Sequence, residues 1–234
     1  EAHDGWVRSV AISPDDKLVA STGNDRLVKL WDFQSGEQLA QLAGHESDVY
    51  NVVFHPSEPR IVSADLKGEL IDWNYETGEK VRQVKSEALS KYDTGFMAVI
   101  GGVRSMCFNA DGSLLACGGI TDVTNAFAGV GNPTIEIFDW AELKLQRHHR
   151  SKEKLKGVAW GVVLHPENFI VGISGGSGGG HLLFWQPDGE HEFHKLKLPD
   201  TARDLSLSPN GMDLAIAHYD RHLRIARMAE KPAE

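Results

Sequence analysis

Long apolar runs, a cysteine framework, an excess of positive charge and any sustained helical period are all missing from this sequence. No window approaches the roughly 18 to 20 apolar residues that cross a bilayer as a helix, so no membrane partner is expected. The first residues lack the charged and apolar pattern of a secretory signal and read as the middle of a repeat. Only two cysteines occur among 234 residues, which excludes a disulfide scaffold. Cys107 and Cys117 fall in consecutive strands of one unit, out of direct register, and are expected as buried free thiols, with a bridge between them as the alternative. Twenty-four Lys and Arg against 33 Asp and Glu leave a net charge of −9. That balance argues against a nucleic-acid partner, which would call for a basic face, and favours solubility.

What is present is repetition. Shifting the first unit by 42 places His3 on His45, Val7 on Val49, Val10 on Val52, Pro14 on Pro56, Ser21 on Ser63 and Trp31 on Trp73. The apolar anchor at Val10 and Val52 recurs at Met106, Val162 and Leu205, with spacings of 42, 54, 56 and 43. Each unit reads as an apolar strand, a tight polar turn, a second strand, a loop and a third strand. The first turns, such as Ser13-Pro14-Asp15-Asp16 and Asn109-Ala110-Asp111-Gly112, hold the residues that reverse a chain. Short alternating strands with regular turns predict an all-β fold. A period near 42 lies within the roughly 40 to 45 residues of a four-stranded propeller blade.

In these residues the sequence resembles the WD-repeat β-propeller family. The first unit carries His3, then Ser21 to Asp25, then Leu30-Trp31-Asp32; the second has Gly44-His45, Ser63-Ala64-Asp65 and Trp73-Asn74. The marks loosen later: Ile137-Phe138-Asp139, Phe184-Trp185, and Asp220 with Ala226 in the tryptophan position. The resemblance implies one propeller region over residues 1–234, with five four-stranded blades at about 1–42, 43–84, 85–146, 147–197 and 198–234. It also implies that His3, Ser21, Asp25 and Trp31 form a structural hydrogen-bond network, which must be complete because an unpaired buried carboxylate is costly. In the second unit Lys67 replaces the aspartate, so that network must be incomplete or rebuilt. Family propellers usually have seven blades closed by a shared strand. An open arc with two blades missing upstream is therefore expected, able to self-associate through its open ends; a closed five-blade ring is the alternative.

The spacings also locate insertions. About twelve extra residues enter around Ser86 to Gly102, including Lys91 to Met97, and are expected as a loop. About eleven enter around Ile120 to Thr134, expected as a flexible loop with Phe127 exposed. Gly175 to Gly180 form a glycine run in the corresponding loop of the fourth unit. In an up-and-down blade all three emerge on one face, where loops on a rigid scaffold often carry function. The residues two before each anchor, Arg8, Tyr50, Arg104, Trp160 and Arg203, should ring the channel mouth. Two positions earlier stand Trp6, Asp48, Gly102, Val158 and Thr201. The resemblance implies peptide contact at these positions. Trp6, Arg8, Asp48, Tyr50, Arg104, Trp160 and Arg203 form the candidate partner-binding set, rich in the types found at binding hot spots. Arginine forks suit carboxylates, so the expected partner is a protein or peptide, acidic with apolar anchors. The competing reading is that these rim residues merely stack on one another.

Chemistry has little support. His191 to His194 lack zinc-protease spacing, and the His218 to His222 segment falls short of the three or four converging ligands of a zinc site. The glycine run lacks a following Gly-Lys-Ser/Thr. The basic stretch Gln146 to Lys156 reads as a solvated connection. The expectation is a non-enzymatic binding scaffold with no catalytic residue, metal or cofactor. The alternatives are a propeller hydrolase with a metal in its channel, or a regulatory domain fused to an upstream catalytic one.

Overall fold

Successive side chains of a strand point to opposite faces, and that alternation assembles this molecule. The computed structural model describes residues 1–125 and 130–229. The first sheet holds β1 (Val7–Ile12), β2 (Leu18–Gly23), β3 (Leu27–Asp32) and β4 (Gln38–Ala43). The second holds β5 (Val49–Phe54), β6 (Arg60–Asp65), β7 (Glu69–Asn74) and β8 (Glu79–Lys85). A small hairpin follows, β9 (Ser90–Asp93) with β10 (Ala98–Gly101). The third sheet holds β11 (Ser105–Phe108), β12 (Leu114–Asn125), β13 (Val130–Asp139) and β14 (Lys144–Arg150). The fourth holds β15 (Val158–His165), β16 (Phe169–Gly175), β17 (His181–Trp185) and β18 (His194–Lys197). The last holds β19 (Ala202–Leu207), β20 (Asp213–His218) and β21 (Leu223–Arg227). Each of these sheets is antiparallel in sequence order, and together they are the five blades of a β-propeller. The fifth blade has three strands among the described residues.

The core is divided among the joints between blades. In β6 Ile61 packs with Leu30 and Trp73 in the first joint, while its neighbour Val62 packs with Leu115 and Phe138 in the second. Leu115 and Ala116 split in the same way between the second and third joints, and Ile170 and Val171 between the third and fourth. A one-residue slip would exchange these faces, so the register is held from both sides. The second joint adds a polar clamp. Buried Asp72 accepts from Arg60 and Arg82, and Arg82 donates across the joint to the Trp140 and Ala141 carbonyls at 2.6 and 2.7 Å. His55 reaches the next blade's turn at the Gly112 carbonyl, 3.1 Å away, as His165 does at Gly211, 2.7 Å away.

Among the described residues the first blade packs against the second and the fifth against the fourth. Val52 in the first joint is 4% exposed, whereas its repeat equivalent Val10 is 65% exposed. At the other end Leu223 and Ile225 are exposed in the same way.

The insertions are not loops. The segment around Lys91 to Met97 folds as the β9–β10 hairpin, because Tyr92 pairs with Val99 and Lys91 with Ile100. Residues 120–125 and 130–134 continue the third blade outward, with Ile120 opposite Pro133 and Thr121 opposite Asn132. Phe127 lies outside the described residues. Arg147, His148, His149 and Arg150 belong to β14, so the basic stretch is half strand and only half connection. Cys107 pairs with Ala116, one step from Cys117, and both thiols are free; Cys107 is half-buried, not fully buried as expected. Among the described residues no helix is long and apolar enough to cross a membrane.

Candidate functional site at the channel mouth

The inner strands β1, β5, β11, β15 and β19 surround a channel of about 810 Å3. At its mouth the side chains alternate between ring and cation. The Arg8 guanidinium lies 4.6 Å from the ring centres of both Trp6 and Tyr50. Arg104 stands 4.2 Å from Tyr50 and 5.7 Å from Trp160; Arg203 stands 4.7 Å from Trp160 and 5.3 Å from Tyr219. The ladder runs Trp6, Arg8, Tyr50, Arg104, Trp160, Arg203, Tyr219, one or two rungs per blade. Its members do stack on one another, and this stacking holds long arginine side chains in place.

The ladder has no internal anion. Arg8 donates from Nε to Asn24 Oδ1 at 2.7 Å, but none of its three arginines forms an ion pair with a carboxylate among the described residues. Burial lowers the pKa of Arg104; Tyr50 opposes that shift and the charge of Arg8 adds to it. An arginine set partly out of water beside another cation gains from an arriving anion. Asp48 is half-buried before β5 and takes no part in the ladder contacts; its carbonyl accepts from the Leu66 amide at 3.0 Å. Trp6 and Tyr219 close the two ends, each 70% exposed.

Tyr219 escaped the sequence reading, although a signal existed. It lies 195 residues after Asn24, the same offset that carries Val10 to Leu205. Both positions contact the arginine of their own blade, one by hydrogen bond and one by its ring.

Beside the ladder the three irregular segments converge. Ile100 of the small hairpin, Ile120 and Val123 of the extended β12, and Val158 form one apolar cluster against Trp160. They wall a cavity of about 580 Å3 that also reaches Arg104, Arg203, Tyr219 and the glycine run at Gly175 to Ser177. The glycines answer a backbone need. A Cβ at Gly180 would stand 2.1 Å from the Asp200 carbonyl oxygen, and one at Gly175 2.5 Å from that of Ala202.

Under the mouth lies a polar network. His3 Nδ1 is 2.7 Å from Asp25 Oδ1, His3 Nε2 is 2.7 Å from Ser21 Oγ, and Trp31 Nε1 donates to Ser21 Oγ at 2.8 Å. Burial works to raise the Asp25 pKa, but the hydrogen bond and charge of His3 and the amides of Leu27 and Asp4 outweigh it, so it is lowered. The second blade repeats this with His45, Ser63 and Trp73, and the carboxylate comes from Asp65, two positions before Lys67. The network there is rebuilt and wholly buried. Asp220 instead forms a two-pronged ion pair with Arg224 at 2.9 and 2.6 Å, while His218 Nδ1 lies 3.1 Å from the Asp200 carbonyl oxygen. Among the described residues no group of three or more His, Cys, Asp or Glu converges as a metal site.

Blades and joints are those of a β-propeller, and the family model described as "WD domain, G-beta repeat" matches residues 1–32 and 36–70. Among its relatives is the small ribosomal subunit protein RACK1 of Brassica napus, 34% identical over 136 residues, covering 55% of this chain and 41% of that protein. The periodic tryptophan protein 2 homolog of Schizosaccharomyces pombe is 29% identical over 125 residues, 50% of this chain and 15% of the relative. Apoptotic protease-activating factor 1 of Rattus norvegicus is 29% identical over 133 residues, 56% of this chain and 10% of the relative. The chain thus spans less than half the length of these relatives.

Proposed function

We propose that this chain is a non-enzymatic protein-interaction scaffold that holds an acidic segment of a partner across its channel mouth. The observation that carries this reading is the ladder: three arginines, spaced by aromatic rings and without carboxylate partners, in a chain of net charge −9. In a protein so acidic, leaving three guanidinium groups unneutralised at one spot favours an external anion. Aromatic rungs add area at little entropic cost, as at binding hot spots. The Brassica napus relative, by its name, is a component of a larger assembly, and the same kind of role is proposed here.

The test is selection from a displayed random peptide library. Selected sequences should be enriched in Asp and Glu. Replacing Arg104→Ala and Arg203→Ala together should weaken the best of them tenfold or more. Equal affinity in that double variant overturns the reading.

A further inference from the structure

We infer that the cavity beside the two inserted hairpins is a specificity slot. It admits an aliphatic residue next to the carboxylate that the ladder holds, and so seats the acidic peptide off-axis over the third to fifth blades. The inference rests on the proposed acidic-peptide reading and adds to it a place and a chemical requirement.

Three observations carry it. First, the slot is made by additions to the repeat: Ile100 comes from the extra hairpin, Ile120 and Val123 from the outward extension of β12. Arg8, whose blade carries no such addition, lines the channel but not this cavity. Second, the two hairpins pack together and against Trp160, and still leave about 580 Å3 between that cluster and the glycine run, Arg203 and Tyr219. That lies inside the range of about 300 to 1,000 Å3 typical of ligand pockets. Hairpins serving only their own stability would be expected to close such a gap, since apolar side chains gain by contact. Third, the polarity is divided. The hairpin side is aliphatic, with Val99, Ile100, Ile120 and Val123, and the facing side carries Arg104 and Arg203 on either side of Trp160, with Tyr219 and Thr201 beside them. A carboxylate alone would leave the walls wetted, and an apolar group alone would leave two cations unneutralised. A segment carrying both groups within a residue or two satisfies each wall.

The experiment uses the highest-affinity acidic peptide selected on the whole chain, fluorescently labelled, and its twin in which the aliphatic residue is serine. Ser177 is exposed on the slot rim, so Ser177→Trp should fill the slot without touching a blade joint. Val99→Asp, on a half-buried wall residue, is the second variant, and thermal melts check that both fold. The slot predicts a fixed aliphatic position in the selected peptides and at least tenfold weaker binding of the serine twin. It predicts a similar loss for the parent peptide on either variant. Acidic peptides that bind through Arg104 and Arg203, yet are indifferent to the serine change and to Ser177→Trp, would overturn the slot while leaving the mouth reading intact. Peptides with no acidic enrichment, unaffected by the double arginine change, would overturn the mouth reading and the slot together.

Discussion

At the scale of single residues, Asp25 and Glu136 are two carboxyl groups under opposite constraints. Asp25 is held ionised by His3 and two backbone amides. Removing it strands the His3 ring beside Ser21, and a buried polar group left unpaired costs about 1–3 kcal/mol. Asp25→Ala should therefore lower the melting temperature by a few degrees while leaving binding of the selected acidic peptide unchanged. Calorimetry and a peptide titration on the same sample check both halves. Glu136 is fully buried in β13; among the described residues neither of its oxygens makes a hydrogen bond, and His148 Nδ1 lies 3.5 Å from Oε1. Burial raises its pKa, against the opposing effects of Ser86 and the Arg150 charge. The folded state thus holds this proton more tightly than the unfolded chain does, and stability is lost as pH rises through the raised value. Glu136→Gln, which cannot ionise, should be more stable than the native protein at pH 8, with the gap narrowing toward pH 4; urea denaturation at both values measures it. No gap at pH 8 would mean that the carboxyl carries no such constraint.

At the scale of elements, the inserted hairpin is separable from the blades. Among the described residues its strands pair with each other and with no blade, and it is anchored by Ile100 in the cluster with Ile120, Val123 and Val158 and by Leu89 at its base. The second and third blades meet through Val62, Leu70, Leu115 and Phe138, which do not depend on it. Replacing residues 91–99 by a short turn should preserve the β-sheet circular dichroism spectrum and cooperative melting, since loop length changes closure entropy only slowly. Binding of the selected peptide should fall tenfold or more. Retained affinity would show that the hairpin is a passive decoration. The blade strands were legible in the sequence because alternation and turn chemistry are local. The hairpin and the extension of β12 were read as loops because the added segments break the 42-residue frame that identified strands elsewhere. Pairing within them, such as Tyr92 with Val99, has no repeat to announce it.

At the scale of the whole molecule, the end faces are two halves of the joint used four times inside. Val10 and Ile12 stand where Val52 and Phe54 are buried in the first joint, and Leu223 and Ile225 lie on the side of the fifth blade away from the fourth. Blades in such arrays are stabilised by their neighbours. This 234-residue chain should therefore associate as its concentration rises, read as a growing mean mass in sedimentation equilibrium. Val10→Glu with Ile225→Glu, which sets like charges against each other across that joint, should suppress the growth; unchanged association would show that other surfaces drive it.

By itself the sequence determined the blades: their number, their order and the ring of Arg8, Tyr50, Arg104, Trp160 and Arg203. These follow from short-range alternation copied at a nearly constant interval, and they need no knowledge of what lies across a joint. Tertiary structure alone decided that Asp65 does in the second blade what Asp25 does in the first. Backbone paths at the strand end set which carboxylate reaches the histidine. It also decided that Tyr219 ends the ladder, and that two hairpins and a glycine loop, separated by up to some eighty residues, face one cavity. Radial packing creates those proximities, and no local pattern carries the information.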